Sequence, residues 1–237
     1  MHAPPVPSDV RDPGRALRTA CLSQCAAASA AFLLLLGLVA ARWGPLLAAD
    51  RRITVDLHVW AVRHSGWTQL NRVLTDWVWD PLTMRLLLLA AVVWLLVRRE
   101  NRQALWLVLV GTVGWVVQYA VKALVGRERP RWPDPVDSAA YAAFPSGHAT
   151  TAALACGALL WLLLLRLPAH SPWRVLAVAV AFVSVVGVGF TRVYLGVHWP
   201  SDILGGWLLA VAVLTGTAGW CEPWRGDGRR EPERTPS

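Results

Sequence analysis

The sequence predicts an all-α, polytopic membrane protein of six transmembrane helices, with an interfacial helix between the first and second. Three observations carry this. The 237 residues are 55% hydrophobic and only 16% charged, against about 25% charged in ordinary soluble domains. The charge is missing in blocks: no Asp, Glu, Lys or Arg occurs in 19–41, 103–121, 138–165, 175–191 or 203–221, and 81–97 holds only Arg85. A spanning helix needs about 17–25 predominantly apolar residues, so five stretches qualify outright. The sixth qualifies once Arg85 reaches for the headgroups. Finally, tryptophans gather at the edges of these stretches, as in an aromatic belt. Trp43, Trp67, Trp77, Trp79, Trp132 and Trp199 fall at one edge, and Trp173, Trp220 and Trp224 at the other.

Taken in order, residues 1–18 read as a disordered cytoplasmic tail, 19–221 as one six-helix membrane domain, and 222–237 as a second disordered cytoplasmic tail. The first apolar stretch is longer than a signal peptide's core of about 7–15 residues, so it reads as a retained anchor. Residues 42–80 form the longest loop. Within it Ile53, Leu57 and Trp60 recur at helical spacing opposite Thr54, Asp56 and Arg63, the pattern of a helix lying on the bilayer. The four cysteines, Cys21, Cys25, Cys156 and Cys221, show neither metal-ligand spacing nor a disulfide framework.

The net charge of +8 is spread over both ends and every loop, without a basic helix or an aromatic-interleaved patch. That excludes nucleic acid as the partner and suits anionic headgroups. Six spans put the termini and the loops 98–102 and 166–174 on one face, and the loops 42–80, 122–145 and 192–202 on the other. With Lys122, Arg129 and Arg192 reserved for chemistry, the terminal face holds 12 Lys and Arg against 8. The termini are therefore expected in the cytoplasm and the second face outside.

Three segments on that second face carry chemistry. The first, Lys122 to Pro130, closes the third span. Lys122 is the only lysine in the chain, a compact point charge where arginine is otherwise used. It precedes Arg129 by about two helical turns, so a helix persisting through Gly126 to a stop at Pro130 presents both from one face. The second, Pro145-Ser146-Gly147-His148, opens the fourth span. Ser146 is a good N-cap, Gly147 lets an anion approach the backbone, and the helix N-terminus attracts it. The protonated form of His148 would be favoured beside such an anion. The third segment runs from Thr191 to Asp202. Pro200 suits the first turn of the sixth span, which sets Asp202 where its carboxylate can orient one nitrogen of His198 and leave the other nucleophilic. Arg192 offers a planar fork for two phosphate oxygens. Asp134 and Asp137, flanked by prolines, read as a solvated loop.

Together Lys-x6-Arg-Pro, Pro-Ser-Gly-His and Arg-x5-His-x3-Asp resemble the three-part signature of the type 2 phosphatidic acid phosphatase superfamily, the membrane lipid phosphate phosphatases. One departure is Thr191, where the family usually has serine; the hydroxyl is kept. The resemblance implies that His198 attacks phosphorus, oriented by Asp202, to give a phosphohistidine. It implies that His148 protonates the leaving oxygen and then activates water, and that Lys122, Arg129, Ser146, Gly147 and Arg192 hold the phosphoryl oxygens.

The expectation is thus metal-independent hydrolysis of a lipid phosphate or diphosphate at the extracytoplasmic face of the plasma (inner) membrane, without a cofactor. Undecaprenyl-diphosphate and phosphatidylglycerophosphate phosphatases are the bacterial relatives implied. A lipid phosphotransferase using the same site is the alternative, and a non-catalytic lipid-phosphate transporter or scaffold a more distant one.

Overall fold

The computed structural model describes residues 13–220. Among them run eight α-helices: α1 (Pro13–Ala40), α2 (Gly44–Arg63), α3 (Ser65–Val73), α4 (Pro81–Val97), α5 (Asn101–Val125), α6 (Gly147–Arg166), α7 (Pro172–Tyr194) and α8 (Pro200–Trp220). A π-helical turn, Leu74–Val78, joins α3 to α4. Among the described residues, six stretches are long and apolar enough to cross a membrane: Gly14–Ala40, Ser65–Val97, Asn101–Val125, Gly147–Arg166, Pro172–Tyr194 and Pro200–Gly219.

The helix boundaries follow from local chemistry. Asp80 caps α4 by accepting from Leu82 N at 2.7 Å, and Pro81 fills a first-turn position that needs no N–H. Ser171 and Pro172 repeat the device at α7. Ser146 caps α6 by accepting from Ala149 N at 3.4 Å. At the other end of α5, Gly126 takes the left-handed conformation (φ 56°), which glycine adopts without steric cost and which closes a helix.

The central helix is α6, which touches α4, α5, α7 and α8, while α1 lies along α8. Lipid tails give helices little hydrophobic reason to associate, so small residues that allow close approach decide the packing. Gly114 on α5 is such a point, since a Cβ there would lie 2.2 Å from Leu154 Cδ1 of α6. The core beside it includes Leu95, Trp106, Leu107, Val110, Ala152, Ala155 and Ala158. Leu33, Leu34, Val97, Val175 and Phe182 are exposed, as side chains facing lipid would be.

Three expectations need correction. Helix α1 begins at Pro13, so residues 13–18 are helical instead of belonging to a tail; 1–12 and 221–237 lie outside the described residues. The stretch 42–80 is almost wholly helical, and the second span reaches back through α3. The tryptophans also divide. Trp43, Trp67, Trp77 and Trp173 are exposed, but Trp79 is buried at the place where a Cβ on Gly187 would intrude. Trp132 stacks on His58 with centroids 4.0 Å apart and donates to Gly196 O at 2.8 Å. Trp199 donates to Glu128 O at 3.0 Å. The side chain of Trp220, and Trp224, lie outside the description.

Helix α2 keeps the expected polarity only in part: Asp56 and Arg63 are exposed, and Leu57 packs inward against Tyr194, Leu195, Val193 and Ile203. Ile53 and Trp60 are exposed, as the outward face should be. The face turned into the protein is the polar one, burying Asp50, Thr54 and His58 with Ala61.

Candidate active site

The three segments singled out in the sequence meet at one end of the bundle. The junction is tied directly: Ser146 N, at the start of α6, donates to Asp202 O, in the first turn of α8, at 3.0 Å. Gly206 permits this approach, because a Cβ there would stand 2.9 Å from Thr150 Oγ1 and 3.1 Å from Ser146 O. His148 and His198 both lie within electrostatic reach of Lys122, Arg129 and Arg192.

His198 is 1% exposed and Asp202 fully buried. His198 Nδ1 lies 3.2 Å from Asp202 Oδ2, which also accepts from Trp199 N at 2.9 Å. On the other side of the ring, His198 Nε2 is 3.0 Å from Arg129 Nη1. A guanidinium can only donate, so Nε2 is the acceptor and the ring proton sits on Nδ1, facing the carboxylate. The lone pair of Nε2 therefore points toward the cations. Burial pushes the pKa of His198 well below its usual 6.5, and Arg129, Arg192, Lys122 and Arg127 push the same way. The imidazole is neutral at physiological pH, as a nitrogen nucleophile must be.

The cations are aimed by uncharged partners. Lys122 Nζ donates to Ala142 O at 2.6 Å. Arg129 donates to Tyr141 O through Nε and to Ala140 O through Nη2, both at 2.9 Å, and to Val197 O through Nη1 at 2.6 Å. Three consecutive carbonyls thus orient two cations without neutralising them. Tyr141 adopts a φ of 68°, a left-handed backbone rarely taken by an aromatic residue, at the middle of that run. Burial and the neighbouring Arg192 lower the pKa of Arg129 to about 10, so it stays charged.

Arg192 is 3% exposed. It makes two long contacts at 3.4 Å, to Thr75 Oγ1 and Asp137 Oδ2, and its buried Nε has no partner among the described residues. A buried donor left unsatisfied costs about 1–3 kcal/mol, more when charged. An anion accepting from Nε would recover that cost.

His148, at the start of α6, has Nε2 4.0 Å from Asp80 Oδ2. Beside it, Gly147 packs against Gln118, whose Nε2 would lie 3.0 Å from a Cβ at that position. Ser146 is fully buried. A cavity of about 480 Å³, lined among others by Arg127, Arg129, Asp137, Tyr141 and Val197, opens beside the cations in the loop between α5 and α6.

The structure brings together all eight residues singled out in the sequence, but not always for the anticipated reason. Helix α5 ends at Val125, with Gly126 as its cap, so Lys122 and Arg129 do not share a helix face and Pro130 is not the stop. The loop after Gly126 turns Arg129 back into the site. Asp137 is not a solvated loop residue; its side chain is 17% exposed and ion-paired with Arg192. Asp134 is exposed, as expected.

Sequence reasoning missed four participants. Arg127 donates to Asp202 Oδ1 at 2.6 Å, Ser201 Oγ at 2.7 Å and Asp50 Oδ2 at 2.7 Å. It lay unremarked inside the Lys-x6-Arg spacer. Asp50 is an isolated acid on a helix read as peripheral, and nothing local flagged it. Ser201 and Asp80 drew no reading from the sequence; Asp80 both caps α4 and lies 4.0 Å from His148 Nε2.

Comparison with known proteins places the chain in a family. Residues 103–225 match the PAP2 superfamily. The chain is 32% identical over 116 residues to phosphatidylglycerophosphatase B of Bacillus subtilis, covering 49% of this chain and 57% of that protein. It is 27% identical over 195 residues to undecaprenyl-diphosphatase of Sulfolobus acidocaldarius, covering 75% of this chain and 84% of the relative. The crystal structure of a transmembrane PAP2 type phosphatidylglycerolphosphate phosphatase from Bacillus subtilis shares the fold. Its TM-score is 0.70 at 23% identity, over 86% of this chain and 99% of the other. On the strength of the match over residues 103–225, and of the three segments that meet within it, this all-helical membrane protein belongs to the PAP2 superfamily.

Proposed function

We propose that the protein is a membrane phosphatase that removes the terminal phosphoryl group from a lipid phosphate or lipid diphosphate, through a phosphohistidine on His198. The observation that carries this reading is the state of His198. Its Nδ1–H faces Asp202 while its Nε2 lone pair faces Arg129, so the nucleophilic nitrogen already points where a phosphoryl group would be held. Family membership and the names of the relatives support the phosphatase reading.

In this mechanism the phosphate enters among Lys122, Arg129 and Arg192. One oxygen takes the unsatisfied Nε–H of Arg192, and others take the amides at the start of α6, where the helix dipole favours negative charge. Phosphate also displaces Arg129 Nη1 from Nε2 and frees the lone pair. Nε2 attacks phosphorus in line as the bond to the leaving oxygen breaks, and His148 gives that oxygen a proton. Neutral His148 then takes a proton from water, whose oxygen attacks phosphorus, and the P–N bond breaks to release inorganic phosphate. Fixed cations around the phosphoryl oxygens stabilise charge that spreads there in the transition state, so no metal is needed.

The cytoplasmic termini and the extracytoplasmic site belong to the same proposal, resting on the excess of basic residues on the terminal face. The test is phosphate release by purified protein in detergent from a panel of lipid mono- and diphosphates. Release from at least one lipid, undiminished by a chelator, is expected. No release from any lipid, or inhibition by the chelator that added metal reverses, would contradict the reading.

A further inference from the structure

We propose that Asp50, on α2, is a positioning residue for the reaction: it holds Arg127 and the first turn of α8 so that Asp202 keeps its negative charge for His198. This rests on the reading of His198 and Asp202 given above. Asp50 is 3% exposed and uses both oxygens. Oδ1 accepts from Ser201 N at 2.9 Å, and Oδ2 accepts from Ser201 Oγ at 2.5 Å and from Arg127 Nη2 at 2.7 Å. Ser201 N belongs to the first turn of α8, whose amides have no partner within the helix. A carboxylate from α2 therefore caps the helix that carries Asp202.

The arrangement of charge gives this cap its significance. Arg127 places Nη2 on Asp50 and Nη1 on Asp202 Oδ1, so a single guanidinium lies between two buried carboxylates. The trio carries one net negative charge. An arginine paired with Asp202 alone would neutralise it and weaken its hold on the imidazole just as positive charge develops there. With Asp50 on the other prong, the surplus negative charge remains beside His198 Nδ1–H. All three groups facing Asp50, namely Ser201 N, Ser201 Oγ–H and Arg127, are donors. An asparagine would turn its NH2 either toward Ser201 N or toward Ser201 Oγ and Arg127; in both orientations the second negative charge is lost and Arg127 is left to neutralise Asp202.

The experiment compares wild type, Asp50→Asn and Asp50→Glu in detergent, reading kcat and KM on a lipid phosphate, competitive inhibition by inorganic phosphate, and Tm. Carboxylates that orient metal-bound histidines are worth about 10–100-fold, and Asp50→Asn is expected to lose kcat by about that factor. Inhibition by inorganic phosphate should be unchanged, because Lys122, Arg129 and Arg192 are untouched. Asp50→Glu restores the charge and should recover part of kcat. Should Asp50→Asn not fold, Asp50→Glu carries the test alone, with a smaller kcat loss and unchanged phosphate inhibition. Wild-type kcat in the variants, or a kcat loss matched by equally weakened phosphate inhibition, would overturn the proposal. The wild type separates the two levels: a wild type that releases no phosphate defeats the phosphatase reading, whereas an active wild type with an indifferent Asp50 defeats only this inference.

Discussion

Consider the replacement of Asp202 by asparagine, which is isosteric and leaves the shape of the buried site intact. The carboxylate receives three kinds of donor: Arg127 on Oδ1, and His198 Nδ1–H and Trp199 N on Oδ2. Asparagine has one acceptor oxygen and one donor NH2, so one side must fail. With the oxygen toward His198, the NH2 meets the guanidinium of Arg127, a donor against a donor beside an uncompensated charge. With the oxygen toward Arg127, the NH2 faces Nδ1 and forces the ring proton onto Nε2. That proton then confronts Arg129 Nη1 at the 3.0 Å contact, and the nucleophilic lone pair is gone. Wrong-tautomer substitution in a serine protease triad costs about 10⁴ in kcat. The barrier should therefore rise by roughly 4–5.5 kcal/mol, at about 1.36 kcal/mol per decade, for a loss of about 10³–10⁴ in kcat. The assay is single-turnover phosphate release at saturating lipid phosphate, with inorganic phosphate inhibition as a control for an intact cradle. An Asp202→Asn enzyme within tenfold of wild type, with that cradle intact, would refute the assignment of Asp202 as orienter.

Other outcomes follow from the same geometry. Arg192→Lys removes the buried Nε donor and the planar fork, and should lose about 10²–10³-fold in kcat, on precedent for transition-state donors; wild-type kcat would reduce Arg192 to a packing residue. His148→Ala, given an aryl phosphate whose leaving group needs no proton, should still form the phosphohistidine but hydrolyse it slowly, seen as a burst followed by stalled release. For pH, His198 titrates well below 6.5 when folded, so below about 6.5 the unfolded chain binds more protons and stability falls with acidification, whereas above that pH this group contributes no slope. Tm should therefore drop less between pH 7 and 5 in His198→Gln than in wild type, and equal drops would contradict the lowered pKa.

What was legible in the sequence was whatever the bilayer enforces. Blocks without charge mark the spans because an unpaired charge in hydrocarbon is expensive, and the reactive segments fell together because those spans fix which loops share a face. Harder to read was anything set by a single backbone turn. Gly126 could continue a helix or end it; in its left-handed conformation it ends α5, and Arg129 reaches the site from a loop. Asp137 between prolines resembled solvated chain until its partner, Arg192, arrived from fifty-five positions away. Helix α2 illustrates the limit best. Its outward Ile53 and Trp60 were visible, but Asp50, Thr54 and His58 gave no sign that they face protein instead of water, nor Leu57 that it packs inward. Asp50 acquires meaning only beside Arg127 and Ser201, 77 and 151 positions along the chain.

The proposed phosphorylation of His198 on Nε2 can be tested directly. A labelled aryl phosphate, whose leaving group needs no proton, should be mixed with His148→Ala protein, to slow breakdown, then quenched in base and digested. The account predicts label on the peptide containing His198, stable in base and lost in acid, and absent when His198 is also replaced. Label elsewhere, or turnover by the His198 variant without any base-stable adduct, would contradict it.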